Sequence, residues 1–317
     1  MHDRNKWRRS LPQTAPGVAR TRLLVAVWGA CLILACAHSE ETKGLPFIRT
    51  YPLDEIGSVP RGLRPGFDSF GRFAVMYDGI YTVLNDSTWV NRIDDASPNR
   101  IRMTTIRVFD GKYFYGGRGS WGTVELTPEG RFRANPLVPA NAPAWTSVTA
   151  FNDVLGTRTG VYFSEFNGAV YWDFGRRQNF FFELPRVMAL FRVGDRVFVS
   201  CQDQVLREIL PEAGTVRVVS GVGFDGAVVE RAAALDASST LLALTDGRCV
   251  RFDGHTTTPW PPQARFGLNG RISALTPLAD GGVALALQGK GLYLVSDDGS
   301  LHWALPISLG TWYQSIV

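Results

Sequence analysis

A unit of 39 to 45 residues recurs along this chain, and no other feature restricts its fold as strongly. The clearest copy is Gly281 to Leu305. Val283, Leu285 and Leu287 alternate with Ala284 and Ala286, and Gly289-Lys290-Gly291 turns the chain. Leu292 to Val295 runs back, Asp297-Asp298-Gly299 turns again, and Leu301 to Leu305 follows. Alternating apolar runs of β-forming residues, separated by Gly and Asp-Gly turns, predict a β-meander. The second turn recurs near Ser87 and at Gly130, Gly175, Gly214, Gly254 and Gly299. An apolar strand precedes each one: Ile80 to Leu84, Thr123 to Leu126, Val170 to Trp172, Val205 to Ile209, Cys249 to Phe252 and Leu292 to Val295. An entry turn about twenty residues earlier recurs at Phe70-Gly71, Asp110-Gly111, Gly194-Asp195 and Asp280-Gly281. It slips to Gly156–Gly160 in the third unit, and Asp236-Ala237-Ser238-Ser239 replaces it in the fifth.

Four short antiparallel strands at this period are the mark of an all-β fold, a β-propeller. A lone blade cannot bury both faces, so blades must stack and share cores. A β-sandwich is the competing architecture. About six blades are visible, read as part of a seven-bladed or larger array. The boundaries are 1–37 signal segment, 38–65 tether and lead-in, and 66–317 propeller with a truncated last blade. Ser308 to Val317 reads as the start of a further blade, because Ile316-Val317 matches the entry strand at Ile272 to Leu275.

The net charge of +4 is misleading as a guide to partners. Residues 1–22 hold six basic side chains and one acid, and the remainder carries 27 basic and 28 acidic residues. A nearly neutral body lacks the electrostatic footprint of a nucleic-acid binder. The basic start leads into the apolar run Leu23 to Ala35, too short to span a bilayer and characteristic of a secretory signal. Ile33-Leu34-Ala35-Cys36 resembles a lipobox, with Cys36 lipidated, and Ala35-Cys36-Ala37 equally fits ordinary cleavage after Ala37. The expected location is the periplasm or cell envelope. The expected membrane attachment is through that N-terminal anchor or a downstream span. Cys201 and Cys249 lie at non-equivalent repeat positions and read as two separate buried thiols, with a bridge as the alternative in an oxidising compartment.

Leu45 to Tyr51, then Gly79-Ile80-Tyr81, resembles the opening of periplasmic two-component regulator propeller proteins. Phe114-Tyr115-Gly116-Gly117 with Trp121-Gly122, Gly160-Val161-Tyr162-Phe163, and Thr245-Asp246-Gly247 to Phe252-Asp253-Gly254 resemble the blades that follow. Asp280-Gly281-Gly282-Val283-Ala284-Leu285 with Gly291-Leu292 is similar to later blades, so the likeness covers about 45–317. The resemblance implies further blades, a triple-tyrosine β domain, a membrane span, and a histidine kinase or nucleotide cyclase beyond Val317. The missing Asp-Gly entry turns of the third and fifth repeats depart from that pattern.

Catalytic signatures are absent or out of context. Gly221-Val222-Gly223-Phe224-Asp225-Gly226 is a literal GxGxxG, but a dinucleotide site needs a long following helix and a distant acid. Ala227 to Leu235 allows two helical turns at most, so the glycines are expected to let an inter-blade loop turn tightly. No CxxC, HxH or HExxH spacing predicts a metal site, and no cofactor is expected. Aromatic residues make up 12% of the chain. Trp172 and Trp303 read as blade core. Gly116-Gly117-Arg118-Gly119-Ser120-Trp121-Gly122 reads as a glycine-rich loop presenting an aromatic beside a cation. Arg118, Trp121, Trp145 and Tyr162 are the candidate ligand-binding residues. The expectation is a non-catalytic sensor propeller for a small molecule or glycan, with a homodimer among its partners and no nucleic acid. The rival readings are an envelope lipoprotein scaffold and a propeller glycoside hydrolase or lyase.

Overall fold

The computed structural model describes residues 64–77, 80–85, 88–91, 103–261, 270–278 and 281–306, all within the compact unit Pro52–Val317. These residues form 24 strands in six four-stranded antiparallel sheets, each a meander in sequence order. The sheets are blades of a β-propeller spanning 64–91, 103–136, 153–183, 187–218, 229–260 and 272–306. The first described strand of blade 1 is Arg64–Phe67. Residues 1–37, read from sequence as a signal segment with Cys36 as the lipidation candidate, the lead-in to residue 63 and the stretch from 307 onward lie outside the described residues. Among the described residues, no helix is long and apolar enough to cross a membrane.

The expected turns fall where the strands require them. The slipped third entry turn lies between Asp153–Gly156 and Gly160–Glu165, and Asp236 to Ser239 joins the first two strands of blade 5. There the Asp236 carboxylate accepts from the Ser238 amide and hydroxyl and from Ser239, so it replaces the missing glycine turn. The GxGxxG segment is an inter-blade loop with Gly221 and Gly226 at positive φ. The chain after it is strand, Val229–Ala234, so the helix a dinucleotide site needs is not there.

Second strands explain why blades need each other. Gly160–Glu165, Thr240–Leu244 and Val283–Leu287 are buried along their whole length. In blade 5, Leu242 and Leu244 pack toward blade 4 while Leu241 and Ala243 pack toward blade 6. Likewise Val161 and Phe163 face blade 2, and Tyr162 faces blade 4. The period-two alternation thus divides side chains between two neighbouring cores instead of between core and water. Five such cores fill the joints between sequence-adjacent blades, and the first strands of those blades pack side by side. Cys201 and Cys249 sit in different cores as free buried thiols. Burial pushes them up to about 11 and about 12.

Glu208, in blade 4, is buried and accepts from Arg196 Nε at 2.8 Å and Nη2 at 2.9 Å, with Arg217 as a second cationic donor. Arg196 also reaches His255 in blade 5. Its guanidinium, with help from Arg217, holds the Glu208 carboxyl down at about 2 from an ordinary 4.5, against the opposing effect of burial. A folded-state pKa below the unfolded one stabilises the fold above the unfolded value and loses that contribution as pH falls through the folded one. Stability is therefore expected to drop between about pH 4.5 and 2 through this group, and Glu208→Gln should flatten that part of the profile. Urea midpoints at pH 6, 4 and 3 check it, and parallel curves for the two proteins would exclude the assignment.

Candidate functional site

The four residues singled out from sequence do not form one site. Gly116 and Gly117 end one strand of blade 2, Lys112–Gly117, and Ser120–Leu126 begins the next, so only Arg118 and Gly119 turn the chain. The expected loop is a tight hairpin. Gly116 is required by close approach, since a Cβ there would lie 2.6 Å from the Phe151 carbonyl oxygen. Trp121 points inward and is 0% exposed, 4.9 Å from the Phe151 ring, with its indole N–H donating to Asn179 Oδ1. Tyr162 is 3% exposed and lies tilted against Tyr171 with ring centroids 4.5 Å apart, and burial pushes its hydroxyl pKa well above the ordinary range. Both are core residues with no face for a ligand, which corrects the expectation for them. Trp145 is half-buried on the 3-10 turn Ala144–Ser147, edge-on to Phe181. Arg118 alone is exposed, bridged through its backbone to Ala150.

A cleft of about 760 Å³ occupies the opposite end of blades 2, 3 and 4, where first-to-second and third-to-fourth strand turns cluster. Asp110 and Lys112 come from the entry turn of blade 2, Arg158 from that of blade 3, and Asp195 from that of blade 4. Phe174 and Arg177 come from the last turn of blade 3. Thr123 and Leu137 line it further along the joint between blades 2 and 3.

Its aromatic surfaces are held by the backbone beneath them. Phe109 lies against Gly156, where a Cβ would fall 2.2 Å from the ring, so only glycine lets blade 2 lean this closely on blade 3. Phe174 stacks on buried Phe114 across that joint, with centroids 6.0 Å apart and planes at 29°, and remains 37% exposed. Trp172, read from sequence as core, is half-buried and contributes to both the core and the cleft.

Charge surrounds these rings. Arg158 pairs with Asp195 at 3.0 Å, both well exposed, and Arg192 Nη1 donates to the Gly156 carbonyl at 3.2 Å. An exposed pair of this kind contributes about 0–1 kcal/mol, so Arg158 is easily drawn away. Asp110 and Arg177 hold positive φ, 48° and 53°. Asp tolerates this region, whereas for arginine it costs about 1–2 kcal/mol. Sequence reasoning placed the turn glycine of blade 3 at Gly175, but the left-handed residue is Arg177. In the last turns of blades 2, 4, 5 and 6 that conformation falls on Gly130, Gly214, Gly254 and Gly299. A cation where its sister turns use glycine was the signal available in the sequence.

Among the described residues, no group of three His, Cys, Asp or Glu side chains is placed to hold a metal ion. No family model matches the chain, and no curated protein matches it. Solved structures do. The extracellular domain of the putative hybrid two component system BT4673 from B. thetaiotaomicron aligns at a TM-score of 0.58 and 13% identity over 82% of this chain. That of BT3049, from the same organism, aligns at 0.59 and 12% over 84%. The chain spans 36% and 37% of those two domains, little more than a third of each. The WD40 β-propeller domain of Doa1 aligns at 0.57 and 16% identity, over 77% of this chain and 81% of that one. At these identities the shared property is the fold: this chain is a β-propeller like those in the extracellular domains of two-component systems.

Proposed function

We propose that this chain is an extracytoplasmic ligand-sensing β-propeller of a two-component-type signalling protein, binding a small molecule or glycan without chemically changing it. The observation that carries this reading is the cleft, where aromatic faces and charged turn residues from three successive blades converge. Its volume falls within the range of small-molecule sites, and its aromatic faces stand beside charged side chains able to orient a ligand. The likeness to extracellular domains of two-component systems supports the setting, and the signal-like N-terminal segment supports export. A ligand gripping three blades passes a signal only if it binds one arrangement of the receptor better than another.

Isothermal calorimetry of the full chain against a panel of neutral and acidic saccharides tests this. Binding should be lost or weakened at least about tenfold in Phe174→Ala, which strips the most exposed ring from the cleft. Undiminished binding by that variant would move the site elsewhere. Saccharide breakdown during incubation would replace the sensor with an enzyme.

A further inference from the structure

We infer that the cleft selects a ring bearing an anionic group, a carboxylate, sulfate or phosphate, with the anion on Lys112 and Arg177 and the ring on Phe174. This rests on the ligand-binding reading of the same cleft and names the class of ligand. Four cations line it, Lys112, Arg158, Arg177 and Arg192, against two carboxylates, Asp110 and Asp195. The body of the chain outside residues 1–22 is close to neutral, so this local excess is not a reflection of overall charge.

The cations differ in what already occupies them. Arg158 is shared with Asp195, and Arg192 with the Gly156 carbonyl. Among the described residues, the Lys112 and Arg177 side chains make no hydrogen bond or ion pair with protein. Both are exposed, so they pay no burial cost while free and are available to an incoming anion. Arg177 holds its place on a backbone that suits glycine, as its counterparts in the other blades show. A charged side chain on a strained turn beside a cleft is most simply accounted for by what that charge binds. Phe174 is fixed by its stack on Phe114, and its open face lies in the same cleft, which supplies an apolar platform beside the cationic one. A guanidinium and an ammonium converging on one anion form charge-assisted hydrogen bonds, stronger than those to a neutral hydroxyl.

The test is calorimetry on the full chain with galacturonate, glucuronate and glucose 6-sulfate, against galactose, glucose and inorganic sulfate. The acids are expected to bind at least about tenfold more tightly than their neutral parents and than free sulfate. Lys112→Met and Arg177→Gly should each weaken the acids about tenfold or more, and added salt should do the same. Arg177→Gly should also melt about 2–4 °C higher, because the turn loses its strain, so weaker binding cannot be blamed on unfolding. Equal affinity for acids and neutral sugars, lost in Phe174→Ala but untouched by the two cation variants, would overturn the anion selectivity and leave the ligand-binding cleft standing. Sulfate binding as tightly as the sugar acids would overturn the role of the ring. No binding of any probe at millimolar concentration would remove both this inference and the ligand reading beneath it.

Discussion

Trp121→Ala is expected to lower the stability of the propeller by about 3–5 kcal/mol, as large a loss as any single truncation here. The indole is completely enclosed between blades 2 and 3, tilted on Phe151 and edge-on to Phe181. Its N–H donates to Asn179 Oδ1 at 3.0 Å, and Asn179 Nδ2 in turn donates to the Leu137 carbonyl at 2.7 Å. Alanine would leave a large cavity and an orphaned amide oxygen in blade 3. Against a total of about 5–15 kcal/mol this is a large fraction. Trp121→Phe keeps most of the volume and loses only the donor, with an expected cost of about 1–3 kcal/mol. Urea denaturation of the three proteins measures both terms. A Trp121→Ala protein as stable as the parent but unable to bind ligand would restore this residue to a ligand surface.

The second large effect lies at the joint between blades 5 and 6. Glu230 is 6% exposed, and its carboxylate is held by Arg271 through both oxygens, Nε to Oε2 at 2.7 Å and Nη2 to Oε1. Arg271 itself is more than half exposed. The two ends therefore respond differently to mutation. Arg271→Met strands a buried carboxylate and should cost about 3–5 kcal/mol, whereas the double variant with Glu230→Met should recover most of it. Thermal melts of the single and double variants decide this. Equal stability of parent and Arg271→Met would mean that Glu230 finds water or another donor.

The blade count and strand order were legible because turns impose backbone geometry that few residues meet. Positive φ at Gly111, Gly130, Gly194, Gly214, Gly254, Gly281 and Gly299 falls where the repeat put its turns. Even the irregular entry turns of blades 3 and 5 were placed correctly, since Asp236 performs locally what a glycine does elsewhere. The distinction between core and site was not legible. In the fully buried second strand of blade 3 every position is inside, so Tyr162 gives no sign of which face it serves, and Trp121, on a partly buried third strand, likewise packs into the joint core. Glycines misled for a different reason: Gly116, read as part of a glycine-rich loop, is a strand residue where two backbones come close. The cleft gathers residues from 109 to 195 on three blades, and no window of ten residues contains more than a third of them. Arg177 was a local clue, a cation in the left-handed position of a last turn, and it was masked by Gly175, which does not take that conformation.

Each blade is a meander of consecutive strands, and each joint core draws on blades adjacent in sequence. During synthesis, then, a newly completed blade emerges from the ribosome beside a partner that is already formed, and its apolar face waits only as long as the next 40 or so residues take to appear. Assembly can proceed as a procession, with each arrival sheltering the one before it, and no distant segment has to be found before the first core closes.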